Sequence, residues 1–450
     1  MKLKRKGLVG LALVTSLTVS ACGNSNNEAA SPSSSAPAQA SESGAPVVNE
    51  KPYDGQKITI FAVSHPWSDA LKTQIPEFEK ASGIKVDFQI FAEEQLQQKL
   101  AVQLTTGAES PDAYTYRPYM EKILYSKNGW TTPLDEYVTK NSEYDFGDFS
   151  KATIDASTID GKLMSIPLWT DQFVMYYRKD ILEKNNIAVP KTMVEFEDAM
   201  KKLHNPKDDF YGFVARGQRN ALVTAVSSFV FSEGGDFMTN GQASVNTPEA
   251  VKGFKLYADL VKNYGPKGVL NMNWAQAIAL FGQGKAAFYV DSAALYKNTT
   301  DPEKSLISDK VGFATLPAGS AGSKPYNIAS WSAAINPQSQ HKDAAWAFIE
   351  WATNKQNVLM IQQNGVPGAR DSVWASKEGI EKFPADLATA IQDTMKTGVD
   401  HNVPQVMSVT ESRDVVGAIV VKALLGEDIQ AAADLANKEL QAIIDKDKTK

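Results

Sequence analysis

The chain has 450 residues, a formal net charge of −6, 43% hydrophobic residues and 22% charged residues. This composition excludes disorder throughout and fibrous architectures, and the length is sufficient for two domains that each have a core. Cys22 is the single cysteine, so an intramolecular disulfide and a cysteine-ligated metal cluster are excluded as well.

The N-terminus has the layout of a secretory signal. A basic stretch over residues 1–6 precedes an apolar run from Leu8 to Val19, which is too short for a membrane span. The run ends in the segment VSACG around Cys22, which resembles a bacterial lipobox. The resemblance implies that residues 1–21 are a lipoprotein signal peptide and that the thiol of Cys22 is lipidated after cleavage. A free thiol behind an ordinary signal peptide is the alternative.

Residues 22–51 follow the signal as a predicted flexible linker. They are rich in Ser, Ala, Pro, Asn and Glu and almost free of large apolar side chains, so they cannot pack a core. Cleavage before Cys22 removes four basic residues and no acidic ones, which changes the formal net charge from −6 to −10. This acidic balance argues against nucleic acid as a partner. The expected attachment to a membrane is therefore the lipid on Cys22.

Strands and helices alternate after the linker. Ile58–Val63 has the composition of a buried strand, residues 85–90 alternate like a strand, and residues 112–116 resume extended structure. Helical spacing of apolar residues fills the two intervals, with Gly83 and Gly107 as the helix ends. Strand, helix, strand, helix, strand predicts a parallel sheet.

A second region of alternating elements begins near Val174. Thr192 and Glu195 form a predicted capping box ahead of an amphipathic helix. Gly312–Leu316 and Ser330–Ile335 are predicted strands, and another helix follows them. The chain has no short-period repeat, which argues against solenoids and propellers.

Catalytic motifs are missing from the sequence, which contains no HExxH, GxSxG, GxGxxG or GxxxxGK[ST] pattern. The four histidines have no metal-ligand spacing, so we expect neither a metal site nor another cofactor. An exported glycoside hydrolase stays open as an alternative. With 52 acidic residues a carboxylate pair can always be nominated, and a sequence does not fix the distance between its members.

Planar rings beside polar groups mark candidate ligand-binding positions. Sugar rings and carbon chains stack on indole, while hydroxyls need directional partners such as Asp and Arg. In an open parallel sheet, ligands bind beyond the carboxyl ends of the strands. We therefore expect a ligand to be bound by Trp67, Tyr116, Arg117, Trp169, Asp171, Arg216, Trp274, Asp291, Trp331 and Arg370.

The expected roles of these residues differ. The stacking residues are Trp169, Trp274 and Trp331. The residues expected to hold hydroxyls are Asp171, Asp291, Arg117, Arg216 and Arg370. The last two are favoured over an ordinary surface arginine because loops between well-formed elements often carry binding groups. Trp346 and Trp351 lie on an amphipathic helix and are expected to pack the core.

Four segments resemble the extracellular solute-binding proteins of sugar-type ABC importers, and they occur in the family's order. They are GKLMSIPL at 161–168, VMYYRKD at 174–180, SEGGD at 232–236 and FGQGKAAF at 281–288. The likeness extends from about residue 57 to about residue 426 and is strongest to sugar and polyol binders. Arg178 stands where the family usually has Asn, and Phe288 where it often has Met, so the resemblance does not identify the solute.

The resemblance implies an α/β, two-lobe periplasmic-binding-protein-like fold (type II), with a ligand cleft between lobes joined by three crossings. It places the crossings near Val174, Gly312 and Thr353. The N-terminal lobe would combine residues 52–173 and 312–353. The C-terminal lobe would combine residues 174–311 and 354–446.

The resemblance also implies a function. The protein would be a monomeric receptor, lipid-anchored on the extracytoplasmic face of the cell membrane and without enzymatic activity. It would capture a sugar, oligosaccharide or polyol by hinge closure and deliver it to the transmembrane subunits of an ABC permease. The alternatives are the glycoside hydrolase and a receptor for another solute such as a peptide.

Overall fold

The computed structural model describes residues 51–449; the predicted signal peptide, Cys22 and the linker up to residue 50 lie outside the described residues. The strands are β1 (Lys57–Val63), β2 (Lys85–Phe91), β3 (Ala113–Tyr116), β4 (Thr158–Ile159), β5 (Lys162–Leu163), β6 (Ile166–Arg178), β7 (Tyr211–Val214), β8 (Met238–Thr239), β9 (Gln242–Ala243), β10 (Ala286–Ser292), β11 (Val311–Thr315) and β12 (Asn327–Ile335). The helices are α1 (Pro66–Lys72), α2 (Ile75–Ser82), α3 (Glu93–Thr105), α4 (Pro118–Lys127), α5 (Lys151–Ala156), α6 (Lys179–Lys184), α7 (Met193–Leu203), α8 (Leu222–Ser232), α9 (Pro248–Tyr264), α10 (Trp274–Gly282), α11 (Lys297–Thr300), α12 (Lys342–Ala352), α13 (Lys355–Gln363), α14 (Asp371–Ala375), α15 (Lys377–Ile380), α16 (Ala385–Thr397), α17 (Val409–Leu424) and α18 (Ile429–Lys448).

The longer strands form one mixed sheet in the order β2-β1-β3-β12-β6-β10-β7, with β11 also paired to β6. Strand β1 runs parallel to both β2 and β3, which confirms the parallel sheet predicted for the first region. Strands β7 and β10 are parallel as well, at the other end of the sheet. The two parallel parts are joined by the antiparallel pair β6 and β12.

Strands β6 and β12 pass through both halves of the sheet. Residues 166–172 of β6 pair with β12, and residues 173–178 pair with β10 and β11. Where β6 changes partners, Gln172 lies opposite Asn327, and the Gln172 Nε2 donates to the Asn327 Oδ1 over 2.9 Å. Both side chains are fully buried. This buried amide pair marks the two-strand connection between the halves.

Two hydrophobic cores flank this connection. The first surrounds β1 and β3 and includes Ile58, Leu71, Leu100, Trp346 and Ile349. The second lies on both faces of β7 and β10, because alternate residues of each strand join different clusters: Phe213 and Phe288 on one face, Val214 and Tyr289 on the other. Each half of the sheet therefore has its own core, as a two-lobe fold requires.

Local sequence signals define the helices around the second core. The Thr192 hydroxyl accepts from the Glu195 backbone N–H, and the Glu195 carboxylate accepts from the Thr192 N–H, which confirms the predicted capping box of α7. Thr247 caps α9, where Pro248 occupies the first turn at no cost in hydrogen bonds. These helices then bury one apolar face against the sheet.

The expected lobe boundaries at 312 and 353 need correction. Strand β11 pairs with the second half of β6, and its Phe313 packs in the second core, so residues 312–328 do not belong to the first lobe. In the other direction, Ile361 and Ala369 pack in the first core, and Trp374 in the second. The chain therefore returns to the first core within β12 and leaves it between Ala369 and Trp374. Hydrophobic periodicity predicted the elements but carries no information on which core a strand joins.

Within the described residues, no helix combines the length and the apolar character that crossing a membrane requires.

Candidate functional site

A buried ion pair lies at the carboxyl ends of β7 and β10. Because Val214 lies opposite Tyr289 in this parallel pair, Arg216 and Asp291, each two residues further on, face one another. The Arg216 Nε donates to the Asp291 Oδ2 over 2.7 Å, and its Nη2 donates to the other carboxylate oxygen. The Tyr289 hydroxyl and the Ser292 backbone N–H also donate to this carboxylate, over 2.7 and 2.8 Å. Asp291 is fully buried, so these donors fix its position.

A second carboxylate, Asp171, is connected to this pair by Ser292. The Ser292 hydroxyl donates to the Asp171 Oδ1 over 2.5 Å, while the same residue's N–H binds Asp291. Burial raises the pKa of Asp171 to about 7; the Ser292 hydrogen bond opposes this rise, and the negative charge of Asp291 adds to it. Arg216 thus forms its bidentate pair with Asp291, while its positive charge acts on Asp171 from a distance and opposes the rise in the pKa of Asp171.

Stacked rings form the part of the site that belongs to the first core. Trp169 and Trp331 lie opposite one another on β6 and β12, with ring centroids 5.9 Å apart and planes at 23°. The His65 imidazole stacks on Trp169 at 4.1 Å and 5°, and Trp67 packs against the same indole at 5.6 Å. Burial lowers the pKa of His65 to about 4, although Asp69 favours the charged form. At neutral pH this stack carries no charge.

Arg117 connects the stacked rings to acidic residues. Its guanidinium lies 5.8 Å from the Trp331 ring centre, donates to Glu121 over 2.9 Å and forms an ion pair with Glu93. The preceding residue, Tyr116, points the other way, into the first core. Its hydroxyl shares a 3.1 Å hydrogen bond with Ser165. The structure thus brings Arg117 to the site but gives Tyr116 a supporting position beneath it.

Tyr119 of α4 joins the two halves of the site, and the sequence analysis missed it. Its ring packs against the second core, and its carbonyl oxygen accepts from the Gln405 Nε2 over 3.2 Å. Burial raises the pKa of its hydroxyl, and the charges of Arg117, Arg413 and Asp171 all act on that hydroxyl. Tyr119 lies two residues after the candidate Arg117, on the first turn of a helix, and this position could have indicated it from the sequence. Arg413, whose charge also acts on Tyr119, lies on α17, and no sequence pattern indicated it as a site residue.

Trp274 and Trp67 take different places from the stacked pair. Trp274 is 42% exposed at the start of α10. The carbonyl oxygen of Met272 accepts from the N–H groups of Gly217 and Gln218 over 2.9 Å, so Trp274 begins beside the loop that carries Arg216. Trp67 is 3% exposed and supports Trp169 from the first core. Trp274 is therefore accessible near the loop that carries Arg216, whereas Trp67 is a packing residue.

Arg370 does not belong with these residues, which corrects the expectation. It is 1% exposed, and its guanidinium donates to the carbonyl oxygens of Thr353, Tyr144 and Asp145 over 2.8 to 3.0 Å. It also pairs with Asp148 at 3.3 Å. These bonds join the segment after α13 to the loop before α5. The guanidinium is used entirely within the fold, where a buried cation needs such partners.

The described residues contain no group of three or more His, Cys, Asp or Glu side chains arranged to hold a metal ion. The donors of the site are instead guanidinium, hydroxyl and backbone N–H groups, and its acceptors are carboxylates. Such a set binds ligand hydroxyls, which both donate and accept hydrogen bonds. The neighbouring rings offer flat apolar surface for C–H groups.

Comparisons with known proteins identify relatives among bacterial solute-binding proteins. The sequence profile of the bacterial extracellular solute-binding protein family matches residues 64–358. The mannitol-binding protein of Pseudomonas aeruginosa is 27% identical over 309 residues, which are 66% of this chain and 70% of that protein. The erythritol/L-threitol-binding protein of Mycolicibacterium smegmatis is 25% identical over 383 residues, covering 80% and 78%.

Solved structures resemble the fold over nearly its full described length. An ABC transporter solute-binding protein from Agrobacterium radiobacter K84, in complex with ribitol, matches with a TM-score of 0.71 and 26% identity, covering 87% of this chain and 99% of that chain. The family profile spans more than half of the chain. The protein described here therefore belongs to the bacterial extracellular solute-binding protein family.

Proposed function

We propose that this protein is the receptor of an ABC importer that captures a sugar alcohol or a small carbohydrate between its two lobes. The observation that carries the proposal is the juxtaposition of the Arg216–Asp291 pair with the Trp169–Trp331 stack at the β6–β12 connection. The relatives named for mannitol and for erythritol and L-threitol, and the ribitol complex, support the same ligand class.

The two kinds of surface match the two faces of a polyol. Its C–H groups lose water against indole, and its hydroxyls replace water with charged and polar partners. A wrong epimer leaves a buried polar group unpaired, at a cost of about 1–3 kcal/mol. Selectivity among polyols would therefore come from the carboxylates and guanidiniums, and affinity from the rings.

Capture would proceed by hinge motion about the connecting strands. Within residues 51–449, the chain passes from one core to the other along β6, along β12 and between Ala369 and Trp374. A ligand that contacts both lobes binds the closed arrangement more tightly than the open one, which shifts the population toward closure. The buried Gln172–Asn327 pair would then act as the fixed point of the motion.

The remaining parts of the proposal concern attachment and the lack of turnover. Lipidation of Cys22 would hold the receptor at the extracytoplasmic face of the membrane, and the linker over 22–51 would let it reach a permease as a monomer. Binding without hydrolysis is supported by the state of Asp291, whose oxygens accept from Arg216, Tyr289 and Ser292. A carboxylate held in this way is not free to activate water.

The test is a calorimetric titration of the purified mature protein with ribitol, D-mannitol, erythritol and maltose, together with thermal unfolding. We expect saturable binding of at least one polyol and an increase in Tm that grows with ligand concentration. Chromatography of the recovered ligand should find it unchanged. Binding of no member of the panel, or a hydrolysed product, would contradict the proposal. Cys22→Ala should move the protein from the membrane fraction to the medium.

A further inference from the structure

Tyr326 lies immediately before β12, beside the connection between the lobes. Its backbone N–H donates to the Ser228 hydroxyl over 3.1 Å, and its carbonyl oxygen accepts from the Phe173 N–H over 3.1 Å. Its ring packs against Phe173 with centroids 5.2 Å apart. The side chain is fully buried. Backbone and ring are therefore both fixed, and little freedom remains except rotation of the hydroxyl hydrogen.

The hydroxyl of Tyr326 has no hydrogen-bond partner among residues 51–449. Six tyrosines in this part of the chain are at most 1% exposed, and the other five all use their hydroxyls. The five and their partners are Tyr114 with the Trp130 carbonyl, Tyr116 with Ser165, Tyr176 with the Ser292 carbonyl, Tyr257 with the Arg216 carbonyl, and Tyr289 with Asp291. Tyr326 is therefore the single exception among these six tyrosines.

That exception is costly for folding. A buried donor without a partner destabilises the folded protein, and phenylalanine would fill the same space without this penalty. Most buried polar groups in folded proteins have a hydrogen-bond partner, so an unpaired one calls for an explanation, and a ligand that supplies the partner is one such explanation. The surroundings of Tyr326 agree with such a role, because the charges of Asp171, Asp291 and Arg216 all act on its hydroxyl.

Asp171 supplies the complementary group. Its Oδ1 accepts from the Ser292 hydroxyl. The nearby Arg216 guanidinium is paired with Asp291 instead. A carboxylate accepts several hydrogen bonds, whereas the tyrosine hydroxyl has a hydrogen to donate. Asp171 lies opposite Ile328 on β12, two residues after Tyr326, so the two residues belong to the same stretch of the β6–β12 pair.

We propose that the Tyr326 hydroxyl is a specificity-determining ligand contact, which donates to one hydroxyl of a vicinal diol while Asp171 accepts from its neighbour. This inference rests on the proposed function and narrows its ligand class to polyols and sugars that present two adjacent hydroxyls to the second lobe. It also explains why a tyrosine occupies a position where the fold alone would favour phenylalanine.

The test uses Tyr326→Phe with D-glucitol as the probe, because the six hydroxyls of D-glucitol are inequivalent. Affinities of both proteins are measured for D-glucitol and for each of its monodeoxy derivatives. We expect the variant to bind D-glucitol about five- to tenfold more weakly than the wild type, with an unchanged or higher Tm. One derivative should bind both proteins equally, because it lacks the hydroxyl that Tyr326 contacts.

Tyr114→Phe is the matched control. Its hydroxyl donates to the Trp130 carbonyl in the first core, so this variant should have a lower Tm and unchanged affinity. Equal binding of D-glucitol by the wild type and Tyr326→Phe would overturn the inference and leave the proposed function intact. A uniform loss for every derivative would also overturn it. Failure of the wild type to bind D-glucitol and every member of the calorimetric panel, ribitol, D-mannitol, erythritol and maltose, would overturn the inference and the proposed function together.

Discussion

The two halves of the site differ in the chemistry of their side chains. The half that belongs to the first core is a stack of neutral rings, His65 on Trp169 on Trp331. The half that belongs to the second core is a network of charges and hydroxyls around Arg216 and Asp291. The comparison teaches that, under the proposed function, the first lobe would supply most of the apolar contact area and the second lobe most of the directional hydrogen bonds, and closure would combine them. Substitutions in the two halves should therefore have different effects on stability, ligand affinity and pH dependence.

The largest effect is expected from Asp291→Ala in the charged half. Removing this carboxylate leaves the Arg216 guanidinium buried without its partner and the Tyr289 hydroxyl unpaired. We expect the free energy of unfolding to fall by about 3–5 kcal/mol, measured by urea titration. Polyol binding should weaken by more than about 100-fold, measured by calorimetry.

The control for Asp291→Ala is Asp209→Ala, which removes an exposed carboxylate paired with Lys285. This surface pair should contribute at most about 1 kcal/mol, and polyol affinity should stay unchanged. An Asp291→Ala protein that unfolds at the wild-type urea concentration would refute the buried ion pair as the organiser of this half.

The ring half is tested by Trp169→Ala. This change removes the central ring of the stack and should cost about 3–5 kcal/mol of stability, measured by the same titration. Affinity should fall by about tenfold or more, because the apolar contact surface is lost. Trp351→Ala is the control: its ring packs against Phe78, away from the stack, so it should lower stability without changing affinity. Equal affinity losses in both variants would contradict the stacking role.

The charged half should lose stability as the pH rises. Because the folded-state pKa of Asp171 is about 7 and its ordinary value is 3.8, the folded protein binds this proton more tightly than the unfolded chain. The contribution of Asp171 to stability therefore decreases between about pH 4 and pH 7. Asparagine does not ionise, so the free energy of unfolding of Asp171→Asn should rise relative to that of the wild type as the pH rises. Urea titrations across this pH range measure this difference. Parallel stability curves would be evidence against this assignment.

The ring half should respond to pH in the opposite direction. His65 has a folded-state pKa of about 4 against an ordinary value of 6.5, so the unfolded chain binds its proton more tightly. Its contribution to stability is present above pH 6.5 and is lost as the pH falls toward 4. His65→Gln should therefore lose less stability than the wild type over this interval in urea titrations. A larger loss in the variant would show that the imidazole is not kept neutral by burial.

The smallest effect is expected from Trp274→Ala. This tryptophan is 42% exposed, so its removal should change the free energy of unfolding by less than about 0.5 kcal/mol. If the ring covers the ligand from the side of the Arg216 loop, polyol affinity should fall by about threefold in calorimetry. Exposed Val194, on α7, provides the control through Val194→Ala. An identical affinity in Trp274→Ala would remove this residue from the proposed site.

Several features of the protein could be predicted from sequence because their causes are local. The capping box of Thr192 and Glu195 depends on residues three positions apart, and the parallel order of the first strands follows from the lengths of the connections. The choice of Arg216, Asp291, Trp169 and Trp331 as candidates used their positions near strand ends. Their pairing could not be read in the same way, since 75 residues separate Arg216 from Asp291.

Arg370 and the lobe boundaries illustrate what local reasoning misses. A loop arginine beside a glycine looks the same in sequence whether it faces solvent or bonds three carbonyl groups inside the fold. Likewise, β11 has the apolar pattern of a strand in either lobe, and only its pairing with the second half of β6 assigns it to the second core. Partner choice is a property of the assembled chain.

The sequence by itself determined the export signal pattern, the alternating elements, the helix caps and the residue types suited to a polyol, because each depends on neighbouring residues or on composition. Tertiary structure alone decided that Asp171, Ser292 and Asp291 form one network, that Tyr119 crosses between the cores, and that the Tyr326 hydroxyl is left without a partner. The physical reason is that burial and hydrogen-bond satisfaction depend on distances across the folded chain, and sequence spacing does not encode those distances.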